Sequence, residues 1–327
     1  MTADFAPGSF CDIVRQNNGF LVSPLQWTSR HLELVGCRFE EVATTPSDTK
    51  SDQRDNGDGI GRTSHPKAAA DAETLAMDIF AIIKRECLIR ILVGREKPFA
   101  RHSKGPSFYF HGGPVHRPRY IVFHSNANGT PPPIPVGYVH YTDVNGDRRR
   151  QFEPCPGPNG TLNWIGGAIC NKRLAQTSPQ DWTEDPYFVC HLLALAQHQD
   201  RTLNLTKPTT YTSRLLVTNV LNREYIVFYE AGITTELLDV LRDPTHANTS
   251  VEWPTVRRIK LPYKPYDTFA ARLTSILVAS SPASLNNSFD LDGGDCFARN
   301  CRKRAHVPED NQPATVRHIS KRRATRR

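Results

Sequence analysis

The stretch Trp182-Thr-Glu-Asp-Pro-Tyr-Phe-Val-Cys-His-Leu-Leu-Ala-Leu-Ala-Gln-His-Gln199 is the most legible part of this 327-residue chain. Asp185 is placed to accept the first orphan amides of a helix, and Pro186 has the fixed φ and missing N–H that suit a first helical turn. Phe188, Val189, Leu192, Leu193, Leu195 and Ala196 then form an apolar face too broad for a helix resting on a surface. A buried helix over 186–199 is the expectation. Beyond it the chain reads as strand 214–219, strand 225–229, helix 233–242, strand 256–261 and helix 266–277. That order predicts an α+β fold, a single mixed or antiparallel sheet with packed helices.

Working back toward the N-terminus, 136–144 reads as a strand. Asn145-Gly146 comes next as a hairpin signal, and 147–152, rich in arginine, as a polar returning edge strand. Short strands are expected at 107–111 and 120–124, with a proline-rich connector at 130–135. A helix is expected from near Asp71, with Ala76, Ile79, Phe80, Ile83 and Cys87 on one face. The run 87–93 is apolar enough to be its end or a separate strand. Residues 44–67 hold almost nothing to bury and read as a disordered loop, leaving 1–43 as a loosely tethered segment with short elements. The expected organisation is thus 1–43, a linker over 44–70, the α+β domain over 71–278 and a basic tail over 279–327.

The formal net charge of +8 is localised. Residues 299–327 hold ten Lys or Arg and two Asp or Glu, and the residues before them hold 31 of each sign. A neutral body argues against a broad nucleic-acid footprint. Eight cysteines at wide spacing, without a Cys-x-x-Cys, suggest reduced thiols. The first residues have neither a basic start nor an apolar core, and no apolar run approaches the ~20 residues of a membrane span. Asn-x-Ser/Thr occurs at Asn128, Asn159, Asn204, Asn248 and Asn286, by chance if the chain is not secreted. Nucleus or cytoplasm is the expected location, with no membrane partner.

No catalytic set is complete. Tyr109-Phe110-His111-Gly112-Gly113-Pro114 resembles the His-Gly-Gly turn of α/β-hydrolases, but that family needs a Gly-x-Ser-x-Gly elbow. The glycine-rich stretch 165–170 supplies no serine, so a tight turn between strands is the preferred reading. His111, His116 and His124, and His191 with His198, lack zinc-ligand spacing. Cys190 and His191 are adjacent and diverge on a helix. The element order from 186 onward loosely resembles restriction-nuclease-like cores, yet 225–229 carries no Glu-x-Lys and Glu230 falls past its expected end. No cofactor or metal is therefore expected.

Trp182, Asp185-Pro186-Tyr187-Phe188-Val189, Leu193-Ala194-Leu195-Ala196-Gln197 and Tyr263-Lys264-Pro265-Tyr266, with the strand pair between them, resemble a lineage-expanded family of uncharacterised filamentous-fungal proteins over about residues 160–277. The resemblance implies a kingdom and a domain, and no activity. Two functions stay open: an intracellular interaction protein, which is favoured, and an α/β enzyme of hydrolase or nuclease type with an unrecognised catalytic set. In the tail, Arg302, Lys303 and Arg304 are separated by sixteen residues from Lys321, Arg322 and Arg323, the pattern of a bipartite nuclear-import signal. An import receptor is the expected partner. A solubilising end and weak nonspecific nucleic-acid binding are the rival readings.

Overall fold

The computed structural model describes residues 9–43, 66–125, 134–203, 209–244 and 250–278. In chain order the helices are α1 Phe10–Gln16, α2 Ser29–Val35, α3 Pro66–Met77, α4 Ala81–Leu92, α5 Tyr141–Phe152, α6 Trp164–Thr177, α7 Tyr187–Leu203, α8 Thr235–Arg242 and α9 Tyr266–Val278. The strands are β1 Arg38–Glu41, β2 Arg101–Lys104, β3 Phe108–Phe110, β4 Gly113–His116, β5 Ile121–His124, β6 Val136–His140, β7 Thr210–Thr218, β8 Tyr225–Thr234 and β9 Thr255–Pro262. Seven strands form one mixed sheet in the order β1-β9-β8-β7-β6-β5-β2, and β3 and β4 pair as a separate hairpin. The pairs β1/β9 and β6/β7 are parallel and the others antiparallel. This is the α+β architecture expected from the sequence.

Alternation along the central strands sends side chains to two cores. Leu215, Val217, Val227 and Tyr229 face α7, α8 and the N-terminal helices. Leu216, Ile226 and Phe228 face a second core with Leu75, Leu88, Phe269 and Leu273 of α3, α4 and α9. Coverage on both faces explains why β7 is buried from Tyr211 to Thr218. Helix α7 lies where its apolar face predicts, with Asp185 Oδ1 accepting from Tyr187 N at 2.9 Å.

Several expectations are corrected. The segment before residue 44 is not loosely tethered. Strand β1 extends the sheet beside β9, and Phe10, Leu25, Leu32, Val35 and Cys37 are buried in the same core as α7. Pro66 and Lys67 already belong to α3; the rest of 44–67 lies outside the described residues. The helix expected from Asp71 to Cys87 is two helices, because the chain breaks at Asp78, whose carboxylate accepts from Phe80 N at 2.7 Å. Lys84 of α4 then donates to the last carbonyls of α3, Leu75 O at 2.5 Å and Ala76 O at 3.0 Å. That amine satisfies orphan acceptors of a helix end.

Asn145-Gly146 is not a hairpin turn. The strand stops at His140, whose Nδ1 accepts from Thr142 N at 3.2 Å and caps α5. Val144, Arg148 and Phe152, four apart, point inward from that helix. The glycine-rich 165–170 forms the first half of α6, capped by Asn163 Oδ1 on Gly166 N at 2.8 Å. Finally, β8 runs on to Thr234, so Glu230 sits inside the strand, bonded to Arg214 at 2.9 Å and Arg257 at 3.1 Å.

Candidate functional site

The N-terminal segment and the β3–β4 hairpin enclose a pocket of about 460 Å³. Phe10 of α1, Phe20 to Pro24 of the following loop, Trp27, and Leu32 and Val35 of α2 form one side. Phe108 and Phe110 of β3, Val115 of β4, Leu241 of α8 and Trp253 form the other. Ser23 and His31 are the polar residues among these walls. The volume falls within the range of small-molecule and side-chain clefts.

Ring packing fixes the walls. Phe10 meets Phe20 and Phe110 edge-on at 5.9 and 6.2 Å and stacks on Trp253 at 6.2 Å. Trp27 meets Phe108 edge-on at 5.8 Å. Such offset and edge geometries favour aromatic pairs beyond their buried area. Leu21 and Val115 remain exposed at the rim.

The hairpin owes its position to the residues that resembled a hydrolase motif. His111 and Gly112 are the two turn residues, at φ 49° and 74°. Both being left-handed is the mark of a two-residue turn matched to strand twist. His111 N donates to Leu241 O at 2.9 Å, docking the turn on α8. Gln197 of α7 brackets β3, accepting from Tyr109 N at 2.9 Å and donating to Tyr109 O at 2.8 Å. The His-Gly-Gly sequence is the tight turn between strands that was expected, and it places Phe108 and Phe110 in the pocket wall.

His31 is already engaged. Its Nδ1 accepts from Thr28 N at 3.1 Å and lies 2.9 Å from Thr28 Oγ1, and its ring stacks on Phe20 at 5.6 Å. Burial holds this imidazole below its ordinary pKa, against opposing hydrogen bonds with the Gly19 and Thr28 backbone. A neutral ring committed to a capping box adds no charge to the pocket.

Among the described residues, the other histidines and the cysteines do not line this pocket. His116 Nε2 lies 2.7 Å from the Tyr187 hydroxyl, and His191 Nδ1 lies 2.9 Å from Tyr187 O. His124 lies on β5, 2.7 Å from Ser103 Oγ, and His198 is on the last turns of α7. Cys190 is fully buried, and that burial raises its thiol pKa, the reverse of an activated nucleophile. Among the described residues no three His, Cys, Asp or Glu side chains gather as metal ligands. None of the described helices is long and apolar enough to cross a membrane. The import candidates Arg302, Lys303, Arg304, Lys321, Arg322 and Arg323 lie outside the described residues.

Sequence reading missed the pocket because its walls come from helices α1, α2 and α8, strands β3 and β4, and the loops that carry Trp27 and Trp253. The available signal was Phe10, Phe20 and Trp27 within a short segment that the structure makes integral. Comparison with protein-family models, curated proteins and solved structures finds no match.

Proposed function

We propose that this protein is a non-enzymatic interaction module whose pocket receives an apolar side-chain cluster from a partner chain. The observation that carries it is the composition of the walls: aromatic and aliphatic groups, with the one histidine tied to Thr28. Such a cavity gains free energy by removing apolar area from water and offers no paired acid and base for proton transfer. A second apolar surface fits the same reading. Met77, Ile79, Phe80 and Ile82 are exposed together at the α3–α4 junction, and patches of this kind mark protein contacts.

The two basic clusters of the tail direct the protein to the nucleus through an import receptor. On the motif that opens at Trp182, the chain is grouped with the filamentous-fungal proteins it resembles. The pocket is tested by titrating short peptides bearing paired Leu, Phe or Trp side chains against the protein and its Leu21→Asp and Val115→Glu variants. Both positions are exposed, so the variants fold. Micromolar binding that each variant weakens supports the reading. Equal affinity for all three proteins, or none for any peptide, refutes it. The tail is tested by comparing nuclear fractions of fluorescent fusions with and without residues 299–327; equal fractions end the import reading.

A further inference from the structure

Among the described residues, helix α6 packs on α5 along one side only. Gly166, Gly167, Cys170 and Leu174 are partly buried and Thr177 is buried, which marks the inner stripe. At about 100° per residue, Trp164, Ala168, Ile165 and Ile169 fall on the opposite arc. Trp164 is 78% exposed, Ile165 77% and Ile169 49%, and Leu162 just before the helix is 69% exposed. Tryptophan and isoleucine at such exposure form an apolar face that is unpartnered among the described residues.

Charge selects its occupant. Between residues 149 and 177 the basic residues are Arg149, Arg150, Lys172 and Arg173, and the acidic one is Glu153. Arg150 is paired with Asp147, and the Arg173 guanidinium lies 6.0 Å over the Phe152 ring. Lys172 falls within the apolar arc rather than at its flank. A helix lying on a bilayer keeps its lysines on the polar side; a lysine inside the apolar arc calls for a carboxylate directly opposite. We propose that α6 docks an acidic amphipathic helix of a partner protein, its apolar stripe covering Trp164, Ile165 and Ile169 and its carboxylates meeting Lys172 and Arg173. This site is independent of the aromatic pocket.

The test uses the full chain and two synthetic amphipathic peptides with the same leucine stripe, one carrying glutamate on its polar face and the other lysine. Trp164 fluorescence and peptide anisotropy report binding. The acidic peptide is expected to bind and the lysine peptide not to. Trp164→Ala and the Lys172→Glu/Arg173→Glu variant are each expected to weaken binding by about tenfold or more, added salt to weaken it, and Leu21→Asp to leave it unchanged. Equal binding of the two peptides, or insensitivity to the charge reversal, overturns the proposal. So does no binding to either peptide alongside binding to anionic vesicles, which assigns the face to a membrane. A dimer in sedimentation that Trp164→Ala dissolves overturns it too, assigning the face to a second copy.

Discussion

Arg148 and Asp185 are fully buried and form two parallel bonds of 2.6 Å. Each group is satisfied further: Arg148 Nε donates to Leu25 O at 3.1 Å, and the Tyr141 hydroxyl donates to Asp185 at 3.0 Å. Removing one partner leaves the other charge buried and unpaired. Arg148→Met is therefore expected to cost about 3–5 kcal/mol in urea unfolding. Arg148→Met with Asp185→Asn should cost less than the sum of the single changes. His191 is the second informative residue. Burial against Tyr120 and Tyr187 holds its pKa at about 3, and burial holds that of His140 at about 4. Below the unfolded value of about 6.5 the unfolded chain takes up protons that the native state refuses. Stability is then full above that pH and falls as pH drops toward the folded values. The slope approaches about 1.4 kcal/mol per pH unit for each imidazole. His191→Gln should remove about one proton from that slope, read from unfolding curves between about pH 4.5 and 6.5.

Local signals and tertiary packing disagree most clearly in α5. Asn-Gly is the strongest hairpin dipeptide taken alone, yet here it sits mid-helix. The spacing that decides the matter, Val144, Arg148 and Phe152, includes an arginine. No periodicity count treats arginine as a core residue, and its burial depends on Asp185, 37 positions away. Gly146→Ala tests the helix directly. An added Cβ meets only ordinary contact with Arg150, so the variant is expected to be more stable by about 0.5–1 kcal/mol. A hairpin turn at Gly146 would make it less stable. By contrast α7 was legible because cap, proline and apolar face all lie within one stretch. The break between α3 and α4 was not, since Lys84 acts as a cap on another helix.

Across the whole molecule, the fold class and the central strand pair could be read from local pattern, because residues 215–217 of β7 and 225–229 of β8 are unbroken apolar runs. The strands at the ends of the sheet could not. Strand β1 has the burial of a surface loop and becomes a strand through pairing with β9, more than 200 residues later. The pocket was illegible for the same reason, since its walls meet only after the sheet has formed. Deleting residues 1–43 should expose Tyr229, Leu241 and the Phe108 side of the hairpin. The product is expected to bind a hydrophobic dye and to lose a cooperative thermal transition; an unchanged transition would contradict an integral N-terminal segment.

The most direct measurement on the pocket tracks the four tryptophan indole N–H resonances by NMR while a leucine- and phenylalanine-bearing neutral peptide is added. Trp27 and Trp253 line the cavity, whereas Trp164 and Trp182 do not. If the cavity receives apolar side chains, the Trp27 and Trp253 resonances shift in a saturable way and those of Trp164 and Trp182 stay in place. Still resonances for Trp27 and Trp253, at peptide concentrations that saturate any other site, would contradict it.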